Sequence, residues 1–292
     1  MACVARSITP VAFERFSSRS CKHVTLKPPS SRLAARSVFC PHRARFGAPS
    51  RGVRTMGAHR SRIEVLDGLG VQQENPKKNL AVFVSGGGSN LKALHAATQD
   101  GRIHGTVAVV VSDKPGCGGW EWAKENSIPT YAFPPKKGEP GLSASEIVDI
   151  LQSARTDYVC LAGFLKLVPP EIVRAYPKAV LNIHPALLPA FGGKGYYGMN
   201  VHNAVVASGA RVSGPTVHFI DEEYDKGTIV AQRPVPVYPT DTPQDVARRV
   251  LEQEHVIFAE VMSALCRDDF SWREDGVIMI KADTGKDGCK FV

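Results

Sequence analysis

The chain has 292 residues, enough for one or two domains with a sizeable core. Its formal charge is +8, but residues 1–62 hold eleven Arg and two Lys against a single acid, Glu14, a surplus of +12 that leaves the remainder at −4. A mildly acidic globular part argues against a nucleic-acid backbone binder, no apolar run is long enough to span a membrane, and the seven Cys show no metal-ligand or disulfide-scaffold spacing, so no metal is expected.

The first 62 residues are rich in Arg, Ser and Ala, nearly free of acid, and lack an unbroken apolar h-region. These are features of an organelle transit peptide. The Ser density at Ser17, Ser18, Ser20, Ser30 and Ser31 points to a plastid, with a mitochondrion as the compositionally overlapping alternative. Residues 63–78 form a polar connector ending in Asn75-Pro76-Lys77-Lys78. The expected catalytic domain is 79–269, followed by a tail over 270–292 in which only Val277–Ile280 looks strand-like.

Leu80–Val84 is a short apolar run suited to a strand buried on both faces. It feeds Ser85-Gly86-Gly87-Gly88-Ser89-Asn90, and a helical period begins at Leu91. Strand, glycine turn and helix N-terminus together suit a phosphate, although neither a Walker A loop nor a dinucleotide fingerprint is present. Ser89 or Asn90 as a plain helix cap accounts for the same residues.

The alternation continues: strand Val107–Val111, helix Trp120–Asn126, strand Thr130–Phe133, helix Ser143–Ala154, strand Tyr158–Ala162, and a helix over Val168–Tyr176 opened by Pro169-Pro170. This predicts an α/β fold, a doubly wound, mostly parallel sheet whose ligands bind beyond the carboxyl ends of the strands. An apolar run from Tyr176 to Ile183 then delivers Asn182 and His184. Two apart on a strand, they share a face, so a carbonyl-stabilising amide sits beside a proton-moving imidazole. A strand end with two satisfied polar side chains is the plain alternative.

Phe191–Gly198 reads as a glycine-rich loop opening a helix through Val201 and Val205. Arg211–Ile220 and Thr228–Val237 read as an antiparallel edge hairpin around an acidic turn, Asp221 to Gly227. One of its carboxylates is a candidate partner for His184. A long C-terminal helix is expected from Pro243 to about Cys266, with Asp241 or Thr242 as N-cap.

Taken together, Ser85–Leu91, Leu161–Phe164, Asn182–Pro189, Gly214–His218, Asp225–Gly227 and Gln253–His255 resemble the glycinamide ribonucleotide transformylases, folate-dependent formyltransferases of purine synthesis with a Rossmann-like fold. The resemblance covers roughly Asn79 to Cys266, and the insert Gly192–Gly198 resembles plant forms. It implies that Gly88, Ser89 and Asn90 hold the substrate phosphate and that Glu254, with Gln253, binds its ribosyl part. It assigns the folate pocket to Leu165, Lys166, Leu167, Val168, Asn182 and the turn Asp221, Glu222, Glu223, Tyr224 and Asp225. Asn182, His184 and Asp225 would be the catalytic trio. The substrates implied are glycinamide ribonucleotide and 10-formyltetrahydrofolate, a co-substrate rather than a tightly bound cofactor, handled by a monomer or homodimer.

The family often carries an Arg after the third strand, where this chain has Lys136 and Lys137. A formyltetrahydrofolate hydrolase would carry an extra domain before the first strand and usually a second His where Pro185 stands. A methionyl-tRNA formyltransferase would carry a basic C-terminal domain. A non-catalytic nucleotide-binding module is the reading from another class.

Overall fold

The computed structural model describes residues 75–135, 141–221, 227–281 and 289–290. In chain order these form β1 (Lys78–Val84), α1 (Ser89–Gln99), β2 (Gly105–Ser112), α2 (Gly118–Glu125), β3 (Thr130–Ala132), α3 (Ala144–Ser153), β4 (Thr156–Leu161), α4 (Pro170–Ala175) and β5 (Val180–His184). Then follow α5 (Met199–Ser208), β6 (Val212–Ser213), β7 (Thr216–Phe219), β8 (Ile229–Gln232), β9 (Val235–Pro236), α6 (Pro243–Cys266), β10 (Phe270–Trp272), β11 (Ile278–Lys281) and β12 (Cys289–Lys290).

The main sheet has seven strands in the order β3-β2-β1-β4-β5-β7-β8. The first five are mutually parallel; β7 and β8 add an antiparallel edge. Strand alternation explains the unbroken apolar runs. Leu80, Val82 and Val84 enter one core with α1 and α6, while Ala81 and Phe83 enter a second core with α3 and α4. A third cluster joins Val201 and Val205 of α5 to Val235, Val237, Val246 and Val250.

Several expected bounds move. Lys78, expected in the connector, is the first residue of β1, paired in register with Gly105. The expected long hairpin splits: β7 and β8 stay in the main sheet, whereas β6 and β9 form a separate two-stranded ladder. Gly214 and two prolines cause this. Gly214 lies at φ +146 with its missing Cβ direction only 2.0 Å from the Arg233 carbonyl oxygen, and Pro215 and Pro234 lack ladder donors. Residues 270–281 of the expected tail are also not separate. Ile278 and Ile280 are buried in the α1–α6 core, and Trp272 stacks at a tilt on Phe219 with centroids 5.4 Å apart.

The helix α6 begins as expected. Thr242 is its N-cap and forms a reciprocal capping box with Asp245, and Pro243 occupies the first turn. No helix among the described residues is long and apolar enough to cross a membrane.

Candidate functional site

The sheet changes direction between β1 and β4, and a crevice opens there beyond the strand ends. Ser85, just after β1, ties the two ends together: its N–H donates to the Gly163 carbonyl at 3.2 Å, and its Oγ accepts from Leu165 N–H at 2.8 Å. Phe83 beneath packs edge-on against Phe164, centroids 5.3 Å apart. A cavity of about 570 Å³ fills this crevice.

One end of the cavity is the glycine turn. Gly88 sits at φ +72, and a Cβ there would come within 2.6 Å of the Gly119 Cα, so only glycine fits. No side chain caps α1, which leaves its first-turn N–H groups available to an anion. Asn90 is buried and donates from Nδ2 to Glu254 Oε2 at 2.7 Å, while its Oδ1 has no hydrogen-bond partner. Burial pushes the Glu254 carboxyl up, and the Asn90 hydrogen bond offsets part of that shift. An ionised Glu254 only accepts, so it suits ligand hydroxyls.

Glu254 was expected to act with Gln253, but Gln253 does not line the cavity. Ala247 and Leu251 do, seven and three residues before Glu254 on the same helical face. Gly88, Ser89, Leu165, Lys166, Leu167, Val168, Asn182, His184 and Asp221 line it as well. Leu165 and Leu167 turn apolar surface outward, whereas Val168 is buried. Glu222, Glu223, Tyr224 and Asp225, together with Lys136 and Lys137, lie outside the described residues.

Asn182 and His184 reach the cavity from the end of β5, on the shared face that their spacing implies. His184 is buried, and its Nε2 lies 2.8 Å from the Phe191 carbonyl oxygen. A carbonyl only accepts, so Nε2 carries a hydrogen and the ring plane is held. The segment after His184 is braced by Thr216, which donates to the Ala186 carbonyl at 2.7 Å and accepts from Leu188 N–H at 3.0 Å. Gln232 joins that brace through Leu188 and Thr216.

Two histidines were given no role by sequence reasoning. His218 on β7 faces Asn182 across the antiparallel pair and lies 3.2 Å from its Nδ2. His202 on α5 is buried and lines the cavity, with Nδ1 unpartnered. Burial, and then the nearby His184 charge, pull its pKa down to about 4. A lone His on a helix or strand carries no spacing signal that would have singled out either. The Gly193–Met199 loop also lines the cavity, as the glycine-rich insert does not by itself announce.

This arrangement brings to one cavity an anion seat with a hydroxyl acceptor, apolar walls with backbone groups, and an amide–imidazole pair. Residues 78–262 match the family described as formyl transferase. The chain is 55% identical over 214 residues to a chloroplastic phosphoribosylglycinamide formyltransferase of Arabidopsis thaliana, covering 73% of each chain. It is 35% identical over 205 residues to the phosphoribosylglycinamide formyltransferase of Haemophilus influenzae, covering 70% of this chain and 91% of that one. A crystal structure of glycinamide ribonucleotide transformylase 1 from Symbiobacterium toebii superposes with a TM-score of 0.65 at 32% identity, covering 73% of this chain and 99% of that one. The matched span takes in all seven strands of the main sheet, and the chain belongs to the formyl transferase family.

Proposed function

We infer that the chain is a phosphoribosylglycinamide formyltransferase of purine synthesis, transferring the formyl group of 10-formyltetrahydrofolate to the amine of glycinamide ribonucleotide. The observation that carries this is the Asn182–His184 pair on the wall of the same cavity as the glycine turn and the Asn90–Glu254 pair. The nucleotide phosphate fits the α1 N-terminus, and its ribose hydroxyls fit Glu254. The flat pterin fits the Leu165–Val168 turn, with Asp221 on the same cavity.

The substrate amine attacks the formyl carbon, and the carbonyl oxygen becomes an oxyanion. An Asn182 N–H and protonated His184 stabilise it. Protonation adds a donor at His184 Nδ1 while Nε2–H stays on the Phe191 carbonyl, so the ring gains charge without turning. His184 gives its proton to N10 of the folate, the C–N10 bond breaks as the carbonyl re-forms, and the neutral imidazole takes the proton from the substrate amine. Asp225 is the carboxylate assigned to favour the protonated imidazole through its charge. The Arg- and Ser-rich segment 1–62 is assigned as a chloroplast transit peptide.

The test is release of tetrahydrofolate from 10-formyltetrahydrofolate with and without glycinamide ribonucleotide. Nucleotide-dependent release is expected. Equal release without it would favour a hydrolase, and no release would favour a binding module.

A further inference from the structure

We propose that His218 is a positioning residue that decides which end of the Asn182 amide faces the cavity, and thereby sets the oxyanion donor; this rests on the formyltransferase reading above. His218 does not line the cavity and is fully buried, directly opposite Asn182 in the β5–β7 register. Its Nδ1 lies 3.0 Å from the Phe219 carbonyl oxygen. That oxygen only accepts, so Nδ1 carries the hydrogen, and Nε2, which faces the donor Asn182 Nδ2, carries a lone pair. The lone pair accepts from Asn182 Nδ2 at 3.2 Å.

The two ends of an amide have nearly the same shape and opposite polarity, so packing alone does not choose between them. His218 does. With the amide turned over, Asn182 Oδ1 would face the Nε2 lone pair and both groups would lose their bond. Fixing one Nδ2 hydrogen also fixes the other, coplanar and about 120° away. A turned amide would offer a carbonyl oxygen to the developing oxyanion instead of a donor. The backbone carbonyl of Phe219 therefore sets the polarity of the cavity wall through two side chains.

The experiment uses the full chain with His218→Leu, His218→Gln, Asn182→Ala and the double variants of Asn182→Ala with each. His218→Leu is expected to lower kcat about 10- to 100-fold with little change in either KM. His218→Gln, whose Oε1 can accept the same bond, is expected to recover most of that loss. In the Asn182→Ala background, His218→Leu should add less than about threefold, because the group it positions is gone. Effects that multiply in the double variant, or a full-rate His218→Leu beside an impaired Asn182→Ala, would overturn the proposal. Nitrogen NMR of the unmodified chain reads the ring directly and needs no variant to fold. A hydrogen on Nδ1 and a bare Nε2 are expected; a neutral ring protonated at Nε2 would refute the proposal. An unmodified chain that transfers no formyl group would refute the proposed function, while the NMR result would still judge the hydrogen bonds.

Discussion

His184 enters the cavity with one nitrogen committed to the Phe191 carbonyl, and that commitment holds its ring plane. In the proposed mechanism, replacing it by Ala removes one oxyanion donor and the proton path together. His184→Ala is expected to lower kcat about 100- to 1000-fold, the effect of losing one such donor; turnover within tenfold of the unmodified chain would contradict the role. His202 carries a separate, structural signature. It is held neutral in the fold, with a pKa of about 4, yet protonates freely in the unfolded chain near 6.5. The unfolded state therefore binds more protons between those values, so the contribution is full above 6.5 and is lost as pH falls toward 4. The Tm gap between the chain and His202→Gln should narrow over that window. A gap independent of pH would show that His202 is not buried neutral. At this scale the sequence was partly legible. Asn182 and His184 could be paired because strand side chains repeat every two residues. Gln253, paired with Glu254 by the resemblance, is off the cavity because a helix turns about 100° per residue, which takes it off the face that Glu254 shares with Leu251 and Ala247.

The elements owe their legibility to burial on both sides. β1, β2 and β4 read as continuous apolar runs because their two faces feed different cores. The α6 start was equally readable, since Thr242 and Asp245 satisfy the first orphan N–H groups reciprocally. Thr242→Ala is expected to cost about 1 kcal/mol and lower Tm by roughly 2–4 °C. Differential scanning calorimetry checks this, and an unchanged Tm would mean that the cap is dispensable. The β6–β9 split was not legible. Close approach of Gly214 to the Arg233 carbonyl is a tertiary event, and the alternating pattern on either side reads as one long hairpin. The same limit applies to the tail, whose Ile278 and Ile280 look like any short apolar pair until the α6 core is in place.

Across the whole molecule, the order β3-β2-β1-β4-β5 brings together three segments of the chain, Ser85–Asn90, Gly163–Val168 and Asn182–His184. Glycine turn, apolar turn and Asn–His strand end become the walls of one cavity because all three leave the carboxyl edge of a parallel sheet. Strand alternation with helices made that edge visible in advance; the strand order itself was not, since local patterns do not fix which neighbour a strand takes. The charge separation along the chain belongs to the same scale. Removing residues 1–62 is expected to abolish chloroplast import and leave formyl transfer intact, read by fractionation and by activity. Import without that segment would remove its assignment as a transit peptide.

The most direct test of the central claim is to follow the formyl carbon itself. The chain would be given 10-formyltetrahydrofolate labelled with carbon-13 in the formyl group, together with glycinamide ribonucleotide, and the products separated by mass. The account predicts the label on the nucleotide amine, in proportion to tetrahydrofolate released. Label recovered as free formate at the same rate, whether or not the nucleotide is present, would contradict it.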